Sequence, residues 1–465
     1  MKITEIYIDG FKNIKNTRLD FTKEPIIVLL APNNFGKTNL LQAIQEGFSL
    51  IRKQGTEVVD YIRNRSYINR FASNGNIFPF TFEVKFFKRR TSHCEDMNLY
   101  HYKLVIDGNP SKTMSAIGVK DEFLKYSVYN LDGKKSLNNE ETLFERDHND
   151  PSVAILYTNG GKRKTDIKHS SHDKDDKGEE DTKFYPAEWN LFLHKLGNMA
   201  LINDADKKDN DLVTVLKEIA GVLTSLTREN IGMIIDDEDS EYHIHAKLAK
   251  DAQYLKDENL SEYEHFETSF CKIFDQQYEG FYLKSLGVKD RFHLLFKGKK
   301  GEEDSSTLSY GTRRVFKLLS QICANKTPLV SIEEIENGLH PSLYKQVLYS
   351  FYESLDESRY NERNAKTDVS KKRKNEPRLI VSSHAPNLVN NLDNRLNAIY
   401  IGVRDDSYEG ELVQFNRLNG KGQNELRGMI WDSGGGIGAG DAIFQLLSAD
   451  NTKKETEKEW LVDES

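Results

Sequence analysis

Three short runs of the chain are apolar at successive positions rather than alternate ones: "PIIVLL" (25–30), "TPLVSI" (327–332) and "PRLIVSS" (377–383). Each is hydrophobic on both faces, which predicts strands of a parallel sheet covered on both sides. A helical period follows the first run, with Leu40, Leu41, Ile44 and Phe48 on one face. A second helical stripe holds Val315, Leu318, Leu319 and Ile322. A third holds Leu212, Val215, Leu216, Ile219, Val222, Leu223 and Leu226. It predicts either a core helix or a dimerising arm, with an inserted helical arm the preferred expectation. Alternation of aromatic and polar residues in "FPFTFEVKFF", "LYHYKLVID" and "EFLKYSVYNL" predicts a β-rich region between the first two helical stripes. Residues 160–183 are polar, mixed in charge and almost free of apolar side chains, so an exposed, mobile loop is expected there.

Composition narrows the class. A chain of 465 residues is too long for one simple core, and about two or three domains are expected. Hydrophobic residues make up 37% and charged residues 30%, which fits a globular protein with a polar surface. The net charge of −8 argues against a generally basic nucleic-acid binder but leaves room for a local basic strip. Cys94, Cys271 and Cys323 have no metal-binding spacing and suggest a reduced, cytoplasmic setting. No signal peptide is recognised at the start, and no run is apolar enough to span a bilayer, so no membrane partner is expected. His243 and His245 share a strand face without a third ligand. "KKRK" (371–374) reads as a solvated charge run and "SGGGIGAGD" (433–441) as a flexible turn.

Candidate chemistry gathers where the apolar runs end. "APNNFG" (31–36) turns the chain from the first run into a helix that opens with Lys37 and Thr38. Backbone N–H groups curling before a helix N-terminus cradle phosphates; the lysine reaches their oxygens and the threonine hydroxyl holds Mg²⁺. Ala31 stands where this pattern has glycine. The second run ends in Glu333 and Glu334, placed to hold Mg²⁺ and to polarise a water. The third ends in Ser382, Ser383 and His384, a histidine positioned to meet a γ-phosphate or the attacking water. Ser309 and Gly311 precede a helix, giving either a second anion site or an ordinary serine-capped helix. Arg313 and Arg314 lie in its first turn, where the helix dipole disfavours cations, which suggests a bound anion or an acidic partner.

In this order, the motifs resemble the ATP-binding-cassette ATPases of the SMC/RecF/OLD class. "ITEIYIDGFKNIKNTRLDF" resembles their opening strand pair, "APNNFGKTNLL" the Walker A loop and "LSYGTRR" the signature. "LVSIEEIENGLHP" resembles Walker B with the D-loop, "IVSSHAPNLV" the switch-histidine strand and "NAIYIGVRDDSYEGELVQFNRL" the strand pair after it. The resemblance implies an α/β fold: a P-loop ATPase head with a mixed sheet, an antiparallel β subdomain and an inserted, mainly helical arm too short for a long coiled coil. The expected divisions are an N-terminal lobe (1–160), a charged loop and arm (161–289), a C-terminal lobe (290–425) and a tail (426–465). The cofactors it implies are ATP and Mg²⁺. Asn33, Asn34, Phe35, Gly36, Lys37, Thr38 and Asn39 would form the phosphate loop, with Lys12 and Asn13 touching nucleotide. Thr38 and Glu333 would hold the metal, Glu333 standing where many relatives carry aspartate, and Ile335 replaces a usual proline. Lys37, Glu334 and His384 would be catalytic. The Q-loop is sought near "FEVKFFKRR".

The class implies a homo-oligomer in which Ser309 and Gly311 close over ATP held by a second head. Its antiviral members, such as the PARIS and Septu ATPases, imply control of a separate Toprim or HNH nuclease, with a phage protein or DNA as a trigger. "YEGEL" offers a Glu-Gly without a later Asp-x-Asp, so a Toprim domain within this chain is not expected. The rival expectation is a RecF-like DNA-binding ATPase, with Arg63, Arg65, Arg70, Lys88, Arg89 and Arg90 as its basic strip. A nucleotide-binding scaffold with negligible turnover is the third.

Overall fold

The computed structural model describes residues 1–52, 79–89, 97–107, 118–129, 140–146, 153–158, 161–166, 260–274, 277–285, 292–298, 301–323, 328–340, 342–352, 377–384, 395–405 and 412–418, with short pieces between 214 and 257 and at 388, 423 and 424. The three doubly apolar runs are strands β3 (Ile26–Leu30), β14 (Leu329–Ile332) and β15 (Arg378–Ser383), buried at every position. With β10 (Ile231–Ile234), β16 (Ile399–Asp405) and β17 (Leu412–Arg417) they form a sheet in the order β10-β14-β15-β3-β16-β17. Its pairs are parallel except the last, which is antiparallel.

Successive side chains of a strand point to opposite faces, and β3 divides its residues accordingly. Ile27 and Leu29 join one hydrophobic cluster, and Ile26, Val28 and Leu30 join the other. The first cluster is shared with helix α1 (Lys37–Arg52) and an antiparallel sheet. That sheet is ordered β2-β1-β4-β5-β6-β7-β8-β9, with β1 (Lys2–Asp9), β2 (Thr17–Asp20), β4 (Phe80–Arg89), β5 (Met97–Asp107), β6 (Gly118–Tyr129), β7 (Glu141–Arg146), β8 (Val153–Thr158) and β9 (Gly161–Asp166). The second cluster is shared with α2 (Leu260–Ile273), α3 (Tyr310–Cys323), the helix over 342–352 and a small sheet of β11 (Tyr278–Ser285), β12 (Phe292–Gly298) and β13 (Gly301–Asp304). Phe316 of α3 sits 4.8 Å from Phe266 and 5.1 Å from Phe281, so aromatic packing locks α3 against α2 and this sheet.

Gly47 fits α1 against the antiparallel sheet. A Cβ there would fall 2.1 Å from the Phe82 ring. Gly47→Ala is expected to destabilise the chain by about 1–3 kcal/mol through overpacking, read as a lower thermal midpoint.

Several expectations are corrected. The 211–226 stripe is core where described: Ile219, Val222, Leu223 and Leu226 are buried in the first cluster. An apolar helix face shows that something covers it, not whether that cover is the same chain. The expected 161–289 arm contributes β10 to the parallel sheet and α2 to the second layer. Its boundaries cut hairpins, since Thr158 pairs with Gly161 and β11 pairs with β12. Residues 161–166 of the expected mobile loop are strand β9. The rest of that loop, His243, His245, "KKRK" and "SGGGIGAGD" lie outside the described residues, as do Leu212, Leu216, Arg63, Arg65, Arg70, Arg90, Pro341 and the side chains of Arg89 and Ile322. The stretch searched for the Q-loop is β4, held between β1 and β5. No helix among the described residues is long and apolar enough to cross a membrane.

Candidate functional site

In an open α/β sheet, ligands bind outside the carboxyl ends of the parallel strands, where connections leave to opposite faces. β3, β14 and β15 all end at one such edge, and each delivers its candidate residue there by chain direction alone. A cavity of about 1030 Å³ opens at this edge, lined by Asn13, Asn33, Asn34, Phe35, Gly36, Lys37, Thr38, Asn39, Glu333, Glu334, Ser382, His384, Arg404 and Val413.

The turn after β3 places Asn34 at φ +64° and Gly36 at φ +84°, the left-handed conformations that curl successive N–H groups to one side. A Cβ at Gly36 would lie 2.6 Å from the Asn13 amide, so glycine lets the 11–14 turn close over the loop. Asn13 accepts a hydrogen bond from the Asn39 amide at 2.7 Å, and its carbonyl accepts from Val413 N–H at 2.7 Å. Lys12 does not line the cavity; its ammonium holds Gln42 at 2.6 Å and Asn39 at 3.2 Å. Ala31 is tolerated because φ there is not positive and its methyl faces Gly402, where a Cβ would stand 2.8 Å away.

Lys37 is 5% exposed and donates to the Ala31 carbonyl at 2.6 Å and the Pro32 carbonyl at 3.1 Å. Its ammonium also lies 2.9 Å from His384 Nδ1. Burial pulls its pKa down to about 8, opposed by Glu334, Glu336 and Glu333. As Lys37 is the donor to Nδ1, His384 carries its proton on Nε2 and donates it to Glu334 Oε1 at 2.6 Å. The His384 N–H donates to Glu336 at 2.6 Å. The Thr38 hydroxyl donates to Glu333 Oε1. A hydroxyl and a carboxylate are the hard oxygen donors that suit Mg²⁺, and three carboxylates around one ammonium leave excess negative charge for a cation.

Glu334 itself lies at φ +44°, an uncommon backbone state for a side-chain-bearing residue. Its N–H donates to Ser382 Oγ at 3.0 Å. Ser382, Glu336, Arg404 and Val413 therefore belong to the site without having been singled out for it. Ser382 was visible as part of the strand end; the others had no signal, because register alone brings them here. Arg404 stacks over Phe35 at 4.7 Å.

Ser309 and Gly311 do not line the cavity. Ser309 is exposed, and its hydroxyl accepts the Thr312 N–H at 3.2 Å, capping α3. Arg314 is buried and bonded to backbone carbonyls of its own chain, which corrects the expectation that its charge awaits an anion or an acidic partner.

The profile of a family described as "AAA domain, putative AbiEii toxin, Type IV TA system" matches residues 26–390. The chain belongs to this family. As an AAA-family ATPase domain it is of a kind that uses ATP, typically with Mg²⁺. It is also similar to the "DNA replication and repair protein RecF" of Natranaerobius thermophilus, 50% identical over 44 residues. That match covers 10% of this chain and 11% of the relative, so the chain spans about a tenth of that protein. Among solved structures it is similar to the SMC head domain from Thermotoga maritima, at 11% identity and a TM-score of 0.39, over 90% of this chain and 100% of that one. A second is an SMC head bound to the C-winged helix domain of ScpA, at 11% identity and a TM-score of 0.40, over 89% and 97%.

Proposed function

We propose that the chain is an ATP-hydrolysing switch that works as a pair of heads, each closing its Ser309 turn over ATP held by the other. The observation that supports it is the convergence of Lys37, Thr38, Glu333, Glu334 and His384 at one strand-end cavity. The 33–38 turn and Lys37 would hold the phosphates, and Thr38 and Glu333 would hold Mg²⁺, which supplies charge stabilisation when bound. Glu334 takes the proton from the attacking water as ATP and water become ADP and phosphate. His384 holds that carboxylate in place through Nε2–H. Ser309 is exposed at the start of α3, which supports a signature turn that meets a second copy there.

The setting proposed is an anti-phage defence assembly in which the paired heads control a separately encoded Toprim or HNH nuclease, answering a phage protein or DNA. The family description, with its toxin and Type IV TA system, supports a conditional switch of this kind.

The test mixes two inactive chains, Lys37→Ala and Ser309→Arg. Half of a random mixture is mixed pairs, each with one intact site of two, so about a quarter of wild-type turnover is expected from a two-fold pair. No recovery, or full turnover by Ser309→Arg alone, sinks the shared site.

The RecF match favours a second reading, an ATPase that grips DNA. Of its expected basic strip, the described side chain is Lys88, whose ammonium donates to the Gly221 carbonyl and whose pKa is lowered by burial. Salt-dependent, ATP-stimulated binding to plain duplex DNA would select this reading.

A further inference from the structure

We infer that Arg314 is a positioning residue that ties the signature helix to the two acidic residues of its own head, so that the state of α3 is felt at Glu334. The consequence for turnover rests on the ATPase reading above; the linkage itself does not.

Arg314 is 4% exposed. Its Nη2 donates to the carbonyl of Glu333 at 2.6 Å and to that of Glu334 at 2.8 Å, and its Nη1 donates to the Tyr310 phenol oxygen at 3.0 Å. In an extended strand, successive carbonyls point to opposite sides. The left-handed φ of +44° at Glu334 breaks that alternation, and both carbonyls reach one guanidinium nitrogen. Ser382 grips the same segment from β15, accepting the Glu334 N–H on its hydroxyl and the Ile335 N–H on its carbonyl at 3.2 Å. The backbone that aims Glu333 at Thr38 and Glu334 at His384 is thus clamped from two elements.

The α3 side of the clamp cannot slip independently. A Cβ at Gly311 would lie 2.5 Å from the Gly338 carbonyl, and one at Gly338 would lie 2.4 Å from the Tyr310 ring. The turn carrying Ser309 and the turn following the acidic pair therefore rest on each other directly. A shift at the start of α3, where the second head's nucleotide would press, reaches Glu334 through Arg314 rather than through side-chain packing alone. A lysine, with one compact ammonium and no planar fork, cannot keep both carbonyls and the Tyr310 contact.

Arg314→Lys, compared with wild type in ATP binding, turnover and hydrogen exchange, tests this. ATP affinity is expected to stay within about twofold while kcat falls between about tenfold and a hundredfold, the scale of a misplaced catalytic group. Amide exchange over 333–337 is expected to quicken, with exchange across 315–320 unchanged. Tyr310→Phe keeps the ring and removes only the phenol oxygen that Arg314 Nη1 reaches, so it should give the same pattern at about threefold; it decides the matter if Arg314→Lys fails to fold. Wild-type kcat with unchanged exchange, or a loss confined to KM, overturns the linkage. If the wild-type protein turns over no ATP, quickened exchange at 333–337 keeps the linkage and removes the hydrolysis reading, whereas unchanged exchange removes the linkage as well.

Discussion

Glu334→Gln is expected to lower ATP turnover by about 100- to 10,000-fold, the usual contribution of a positioned general base, while leaving ATP bound. The amide keeps the size of the carboxylate, and its oxygen can still accept the proton that His384 Nε2 now donates at 2.6 Å. The backbone clamp at Ser382 and Arg314 does not involve the side chain. What disappears is the negative charge and the capacity to take a proton from water. The phosphate loop and the Thr38–Glu333 pair are untouched, so nucleotide affinity should change little. Single-turnover kinetics alongside equilibrium ATP binding separate the two quantities. Light scattering of the variant with ATP should also show a particle of about twice the mass, because pairs that cannot hydrolyse do not reopen. Equal losses in binding and turnover would mean that Glu334 serves the fold of the site rather than the chemistry.

That carboxylate was legible in the sequence for a physical reason. A strand buried on both faces has a continuous apolar signal, and the first polar residues beyond it must lie at the strand end. Parallel strands place all such ends together, so β3, β14 and β15 revealed Lys37, Glu333, Glu334 and His384 before any contact was known. The opening pair β1–β2 and the closing pair β16–β17 were legible through the family resemblance of their own stretches. The 211–226 stripe was less so: its period gives a face, and the face fits an arm or a core equally well until its cover is seen. β10 is four residues long and packs at a sheet edge, too short for its pattern to stand out. Arg314 was visible only as a misplaced charge. Its actual partners are carbonyls of residues 19 and 20 positions further on, and carbonyls have no sequence signature. Ser309 was the reverse case, since both readings of it, cap and anion site, use the same hydroxyl, and the isolated chain displays the cap.

Lys37→Met is expected to weaken ATP binding by at least about 30-fold, because removing one partner of a buried charge pair costs about 2–5 kcal/mol. The same substitution removes a pH dependence that nothing else in the phosphate loop explains. In the free protein, burial holds the Lys37 pKa at about 8, against an ordinary value of 10.5. Phosphate oxygens favour the ammonium, so ATP binding raises that pKa again. At pH 7 the lysine is already charged and binding takes up almost no proton. At pH 9 it is mostly neutral, and binding must draw close to one proton from solution. Calorimetry in two buffers of different ionisation enthalpy at pH 9 reads this uptake directly, and Lys37→Met should abolish it. Stability of the free protein follows the opposite course. Between about pH 8 and 10.5 the unfolded chain holds the Lys37 proton and the folded chain does not, so this group adds stability as pH rises through that window. Affinity for ATP should therefore fall over the range in which the free protein gains stability from the same side chain. A lysine that binds phosphate with no proton uptake at pH 9 would not be held in the desolvated position between the Ala31 and Pro32 carbonyls and His384.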